Sequence, residues 1–112
     1  MKTYSQDITF DTNKLLSNGE GIVKVIMNTF QTLYEGRKLC MFTHKRLFAD
    51  GKGNHLEVTA LGEDELCNKF FKAIEYTLEK MVKPVCTFEP NKGWETKKCF
   101  EISSLKISNF KC

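Results

Sequence analysis

Proline is almost missing from this chain, with two in 112 residues, and glycine is held to seven, so neither a proline-rich linker nor a low-complexity tail is present. No run of 18 apolar residues occurs, which leaves no segment able to cross a membrane as a helix. Met1 to Phe10 alternates polar and apolar residues and lacks the apolar stretch of a signal peptide. These absences predict a cytoplasmic protein with no membrane association. Histidine is limited to His44 and His55, and tryptophan to Trp94, which narrows the chemistry available. An apolar fraction of 41% and an aromatic fraction of 12% argue against disorder, and the length suits one domain, residues 1–112, with a modest core.

The five cysteines, Cys40, Cys67, Cys86, Cys99 and Cys112, are odd in number and include no CxxC pair. Neither a disulfide framework nor a zinc site follows from that spacing, so they read as thiols acting as small apolar side chains in a reducing compartment. Cys86 and Cys99 are spaced to face each other across a hairpin. Charge of one sign is also lacking, since the net charge is +3. It is unevenly spread. Residues 37–53 hold five basic residues against one acid, residues 54–82 hold three against six, and residues 83–112 hold six lysines against three glutamates. Two basic segments thus flank an acidic one, which bears on partner choice rather than on fold.

Tyr4 to Phe10 alternates as a strand does. Asp11-Thr12-Asn13 and Ser17-Asn18-Gly19 read as polar breaks. From Glu20 to Tyr34, Ile22, Val23, Ile26, Met27, Phe30, Leu33 and Tyr34 recur at helical spacing; β-branched residues pull toward a strand, but the length favours a helix capped by Gly36. Lys38–Ala49 and Asn54–Leu61 form a hairpin around Asp50-Gly51-Lys52-Gly53, with Arg46 expected opposite Glu57 and Phe48 opposite His55. Its buried face comprises Leu39, Met41, Leu47, Leu56, Val58 and Ala60. Lys45 interrupts this face and must lie near an edge or reach outward. Gly62-Glu63-Asp64-Glu65 opens a helix whose apolar face carries Leu66, Phe70, Ile74, Leu78 and Met81, and Pro84 closes it. Val85–Glu89 and Trp94–Ile102 read as further strands, with a change of apolar parity at Ser103-Ser104 that predicts a bulge or bend. The order βαββαβ with one additional C-terminal strand predicts an α+β, ferredoxin-like antiparallel sheet with two helices on one face.

Sites of known chemistry are scarce. Gly19-Glu20-Gly21 lacks the third glycine of a dinucleotide loop, and no phosphate-binding glycine–lysine motif occurs. Cys40 and His44 share a strand face, but no third group completes a nucleophilic triad. His44 and His55 with a cysteine have no metal-ligand spacing, and Glu63-Asp64-Glu65 is accounted for by the helix dipole. No cofactor, catalytic residue or metal ligand is therefore assigned.

One pattern stands out: Phe42, His44, Arg46 and Phe48 alternate along a single strand face opposite the better core residues. Trp94, Lys97, Lys98 and Lys106 are candidates to extend that surface. Two uses follow. Aromatic and basic residues on an open sheet stack on bases and track phosphates, with Arg46, Lys97, Lys98 and Lys106 as nucleic-acid contacts. Alternatively Phe42, His44, Arg46, Phe48 and Trp94 form a contact for another protein or a second copy of the chain. The glycine–aromatic signature of RNA-recognition domains is absent. Modest net charge and interspersed acids favour protein contact. The expectation is a non-catalytic protein-binding module, an accessory regulator or inhibitor (including a viral one), with homodimerisation as one form of the contact and single-stranded nucleic-acid binding as the alternative.

Overall fold

In a computed structural model, residues 2–47, 54–82, 85–91, 93–97 and 99–109 are described. The chain runs β1 (Lys2–Phe10), α1 (Asn13–Leu33), β2 (Leu39–Leu47), β3 (Asn54–Gly62), α2 (Asp64–Met81), β4 (Val85–Glu89), β5 (Gly93–Lys97), β6 (Phe100–Ile102) and β7 (Lys106–Asn109). The main sheet has the order β2-β3-β1-β6, with β7 also paired to β1, and these pairings are antiparallel. This is the ferredoxin-like arrangement. Its last strand is supplied by β6 and β7 together, while β4 and β5 pair with each other as a separate two-stranded sheet.

The helices cover one face. Tyr4, Ile8 and Phe10 of β1, and Leu56, Val58 and Ala60 of β3, point into a core shared with Val23, Ile26 and Phe30 of α1 and Phe70, Phe71, Ile74 and Leu78 of α2. Phe30 and Phe70 meet edge to face at 5.5 Å, which locks the two helices together. At the helix ends the expected apolar face fails: Leu33 and Met81 are exposed.

α1 begins earlier than its sequence suggests. The Thr12 hydroxyl accepts from the Leu15 amide at 3.1 Å and caps the first turn, and the helix then passes straight through Ser17-Asn18-Gly19. Gly19 has a packing reason. A Cβ there would lie 2.3 Å from Phe10 Cζ, so the bare helix backbone is what lets the Phe10 ring close against it. Gly36, with φ of +88°, turns the chain after α1 in the left-handed conformation expected of a capping glycine.

The β2–β3 hairpin pairs Leu47 with Asn54, Arg46 with His55, Lys45 with Leu56 and His44 with Glu57. The expected pairing of Arg46 with Glu57 is thus corrected by two residues; residues 48–53, including Phe48, lie outside the described residues. Because the shift is even, the described side chains of the hairpin keep their predicted faces, while the expected burial of Leu47 lies outside what is described. Lys45 does sit on the edge strand, and its ammonium reaches Glu20 of α1 at 3.3 Å.

The parity change at Ser103 is a bulge. β6 pairs Ile102 with Ile8, and β7 pairs Lys106 with Ser5, so three residues of the C-terminal strand oppose two of β1. Gln6 and Asp7 fasten it: Gln6 Nε2 donates to the Ser103 carbonyl at 2.9 Å, and the Asp7 amide to the Ser103 hydroxyl at 3.0 Å.

Candidate functional site

The sheet face away from the helices is open, and its composition follows from the register. One row across the strands reads Phe42, Thr59, Ser5, Lys106; the next reads His44, Glu57, Asp7; the third reads Arg46, His55, Thr9, Glu101. Phe42 is 48% exposed, and His44 and Lys106 are exposed with it. The Thr9 hydroxyl and His55 Nδ1 lie 3.3 Å apart, which orients that ring within the third row. Of the predicted ladder, Phe42 and His44 are therefore brought together on β2, and Arg46 is placed with them by its backbone position. Phe48 and Lys98 lie outside the described residues.

This face is not uniformly basic. Glu57 and Asp7 occupy its middle row beside His44. Carboxylates there repel a phosphate backbone and suit a partner of mixed polarity. Cys40 is also on this face, but His44 is four residues further along β2, roughly 13 Å at the rise of a strand. A thiol and imidazole so separated do not form a nucleophile–base pair. Among the described residues, no group of three His, Cys, Asp or Glu side chains is arranged to hold a metal ion.

Trp94 does not extend the open face as expected; it lies on β5, and Lys97 follows it on the same strand, in the separate sheet. The cause is the pairing of β5 with β4, which sets Trp94 directly opposite Phe88, with ring centroids 5.2 Å apart. Both rings face solvent, Trp94 at 74% and Phe88 at 58% exposure. The same register sets Thr96, rather than Cys99, opposite Cys86, while Cys99 is buried in the main core.

A second apolar feature is not evident from the sequence. On the outer side of the helix layer, α1 and α2 flank a groove of about 650 Å³ lined mainly by apolar side chains, among them Ile22, Val25 and Met81. Val25 is 65% and Met81 64% exposed. Phe88 does leave a sequence signal, as an aromatic mirrored by Trp94 about a Pro-Asn-Lys-Gly turn. Val25 leaves none, because its exposure depends on which side of α1 the sheet takes.

The strongest local electrostatics belong to the scaffold. Tyr4, buried, donates its hydroxyl to Asp64 at 2.6 Å, and this bond, aided by burial, pushes the phenol up to about 12. The same bond holds the Asp64 carboxyl below its ordinary range. Burial, with Asp64 nearby, pushes the Cys67 thiol up to about 11, which keeps it protonated and inert. Arg37 grips Glu63 at the start of α2 through two nitrogens. These contacts position α2 on the sheet and leave the open face to its own residues.

No protein family matches the sequence, and no curated protein matches it. Among solved structures, one described as "De novo designed protein Foldit4" superposes with a TM-score of 0.65 at 6% identity, covering 98% of each chain. At that identity the likeness concerns the fold alone. The class so defined is an α+β protein with a ferredoxin-like sheet and a separate two-stranded hairpin. Among the described residues no helix is long and apolar enough to cross a membrane.

Proposed function

We propose that this chain is a non-catalytic protein-binding module of the cytoplasm, an accessory regulator or inhibitor that acts through its exposed aromatic side chains. The observation carrying this reading is the middle row of the open face, where Glu57 and Asp7 stand beside His44. A surface pairing an exposed Phe42 with interleaved acids and bases matches the amphipathic character of protein contacts. Trp94 and Phe88 supply a second anchor of the kind that dominates binding energy. Single-stranded nucleic acid is the competing ligand, and the row that sets Lys106 across from Phe42 favours it.

Two measurements on the full chain separate these readings. Affinity capture yields a protein partner that is lost with Phe42→Ala or Trp94→Ala and retained with Lys97→Ala or Lys106→Ala. A labelled single-stranded oligonucleotide shows no binding at low ionic strength. Salt-sensitive oligonucleotide binding that weakens with Phe42→Ala and Arg46→Ala would replace protein contact with nucleic-acid recognition.

A further inference from the structure

The two edges of the main sheet differ. One is split: β6 and β7 are three and four residues long, and the bulge at Ser103 lies between them. Short strands and bulges keep a sheet edge from pairing with other chains. The opposite edge is β2, nine residues long and without proline. Its register against β3 is unbroken, from the pair Leu39 and Gly62 to the pair Leu47 and Asn54. Among the described residues, no strand pairs with its outer side. About half of its backbone N–H and C=O groups therefore point away from β3. We infer that β2 is a docking strand, which takes an extended acidic peptide segment of a partner protein as one further strand of the sheet. The inference rests on the reading of the Phe42 face as a protein contact and names the kind of segment that meets it.

Charge selects the segment. From Gly36 to Ala49 the chain has no acidic residue, and it holds Arg37, Lys38, Lys45 and Arg46. Arg37 is held by Glu63, and Lys45 by Glu20 of α1, which draws that lysine toward the helix layer. Lys38 and His44 are exposed, and Arg46 follows His44 on the same face of the strand. A strand added at this edge lies about 4.8 Å from β2 and about 10 Å from β3. A carboxylate placed on it opposite His44 is thus one strand spacing from the imidazole and two from Glu57. The longer distance exceeds the screening length of about 8 Å at physiological salt. A second copy of β2 brings the same cations and no carboxylate, so the edge that accepts an acidic strand repels its own kind.

The open face sets the order of side chains in the segment. An added strand alternates its side chains between the two faces of the sheet, in step with β2. On the open face its residues stand opposite Phe42, His44 and Arg46 in turn. Phe42, 48% exposed, is covered by an apolar or aromatic neighbour, and His44 and Arg46 are matched by carboxylates. Main-chain hydrogen bonds supply the affinity, and these alternate positions supply the choice of partner.

The probe is a fluorescein-labelled peptide, Thr-Glu-Thr-Glu-Thr-Tyr-Thr, titrated against the full chain up to about 1 mM. Aligned antiparallel to β2, it sets its glutamates opposite Arg46 and His44 and its tyrosine opposite Phe42. Three modified peptides accompany it. One has lysine for both glutamates; one is N-methylated at the glutamates and tyrosine, and one at the threonines. Only one set of peptide amides faces β2, so one N-methylated peptide loses binding and the other keeps it. The lysine peptide and the Arg46→Glu chain, its fold checked by circular dichroism, each bind about tenfold more weakly or worse. Hydrogen exchange shows new protection at alternate amides of β2. No binding of the acidic probe overturns the inference, as does binding indifferent to N-methylation and to charge, or protection confined to other strands. A peptide-free dimer in sedimentation with protected β2 amides overturns it in favour of self-pairing. A protein captured through Phe42 that leaves the β2 amides unprotected overturns strand addition alone and keeps the protein-contact reading.

Discussion

Gly19→Ala and Gly21→Ala lie two positions apart in α1 and are predicted to shift stability in opposite directions. At position 19 the added Cβ would sit 2.3 Å from Phe10 Cζ, 2.7 Å from Cε1 and 3.1 Å from Cε2. Ordinary carbon contacts begin near ~3.5 Å, so the end of the ring is overlapped by more than about 1 Å. Phe10 has no exposed surface, and Phe100 lies across its other side with centroids 6.2 Å apart, so the ring has nowhere to swing. Overpacking of this kind costs about 1–3 kcal/mol, against which alanine's better helix propensity returns about 1 kcal/mol. An overlap this deep against a fully buried ring belongs in the upper part of that range, about 2–3 kcal/mol, so Gly19→Ala loses about 1–2 kcal/mol net. At position 21 nothing lies within 4 Å of an added methyl group. There only the propensity and unfolded-chain terms act, and Gly21→Ala gains about 0.5–1 kcal/mol. Urea titrations followed by far-ultraviolet circular dichroism, at concentrations low enough to hold the chain monomeric, read both values. Phe10→Leu shortens the ring, so its double variant with Gly19→Ala should lose less than the two single variants together. A neutral or stabilising Gly19→Ala would refute the close packing of β1 on the α1 backbone.

Two further predictions concern titratable groups. Burial alone would raise the Glu20 carboxyl, but hydrogen bonds from Lys24 and Lys45, each with its nitrogen 3.3 Å away, outweigh it and hold the group below its ordinary range. A depressed carboxyl contributes stability above its unfolded pKa and loses it as pH falls through the folded value. Wild type should thus exceed Glu20→Gln by roughly 0.5–1 kcal/mol at neutral pH, and the gap should close in acid; a gap independent of pH contradicts the pairing. Cys67 is raised to about 11 by burial and then by Asp64, so at neutral pH iodoacetamide should modify the exposed Cys40 and leave Cys67 until the chain unfolds. The elevated thiol also means that its contribution to stability is intact below the ordinary thiol range and fades as pH climbs toward 11. Equal alkylation of the two cysteines in the folded chain would contradict the burial.

What can be read in the residues is mostly periodicity. Leu66, Phe70, Ile74 and Leu78 have one packing solution, and α2 takes it. The alternation of β2 and β3 tolerates a register error of two because such a shift preserves faces, though it replaces Arg46 by His44 as the neighbour of Glu57. The parity change after Ile102 locates the bulge that divides β6 from β7. Three things are not local. Ser17-Asn18-Gly19 looks like a break unless Phe10 is known to press on the helix. Strand propensity in Val85–Lys97 does not reveal which sheet the strands join, so nothing nearby in the chain separates Trp94 from the open face. The groove at Val25 and Met81 depends on the mutual angle of two helices, which neither helix encodes alone.

The claim that the open face meets a protein is tested most directly by replacing Phe42 with a photo-reactive benzophenone amino acid and irradiating the chain among its natural partners. The account predicts discrete adducts that protease removes and nuclease leaves intact, at a position where the side chain is half exposed. Adducts that nuclease removes, or no adduct at all from a folded chain, would contradict it.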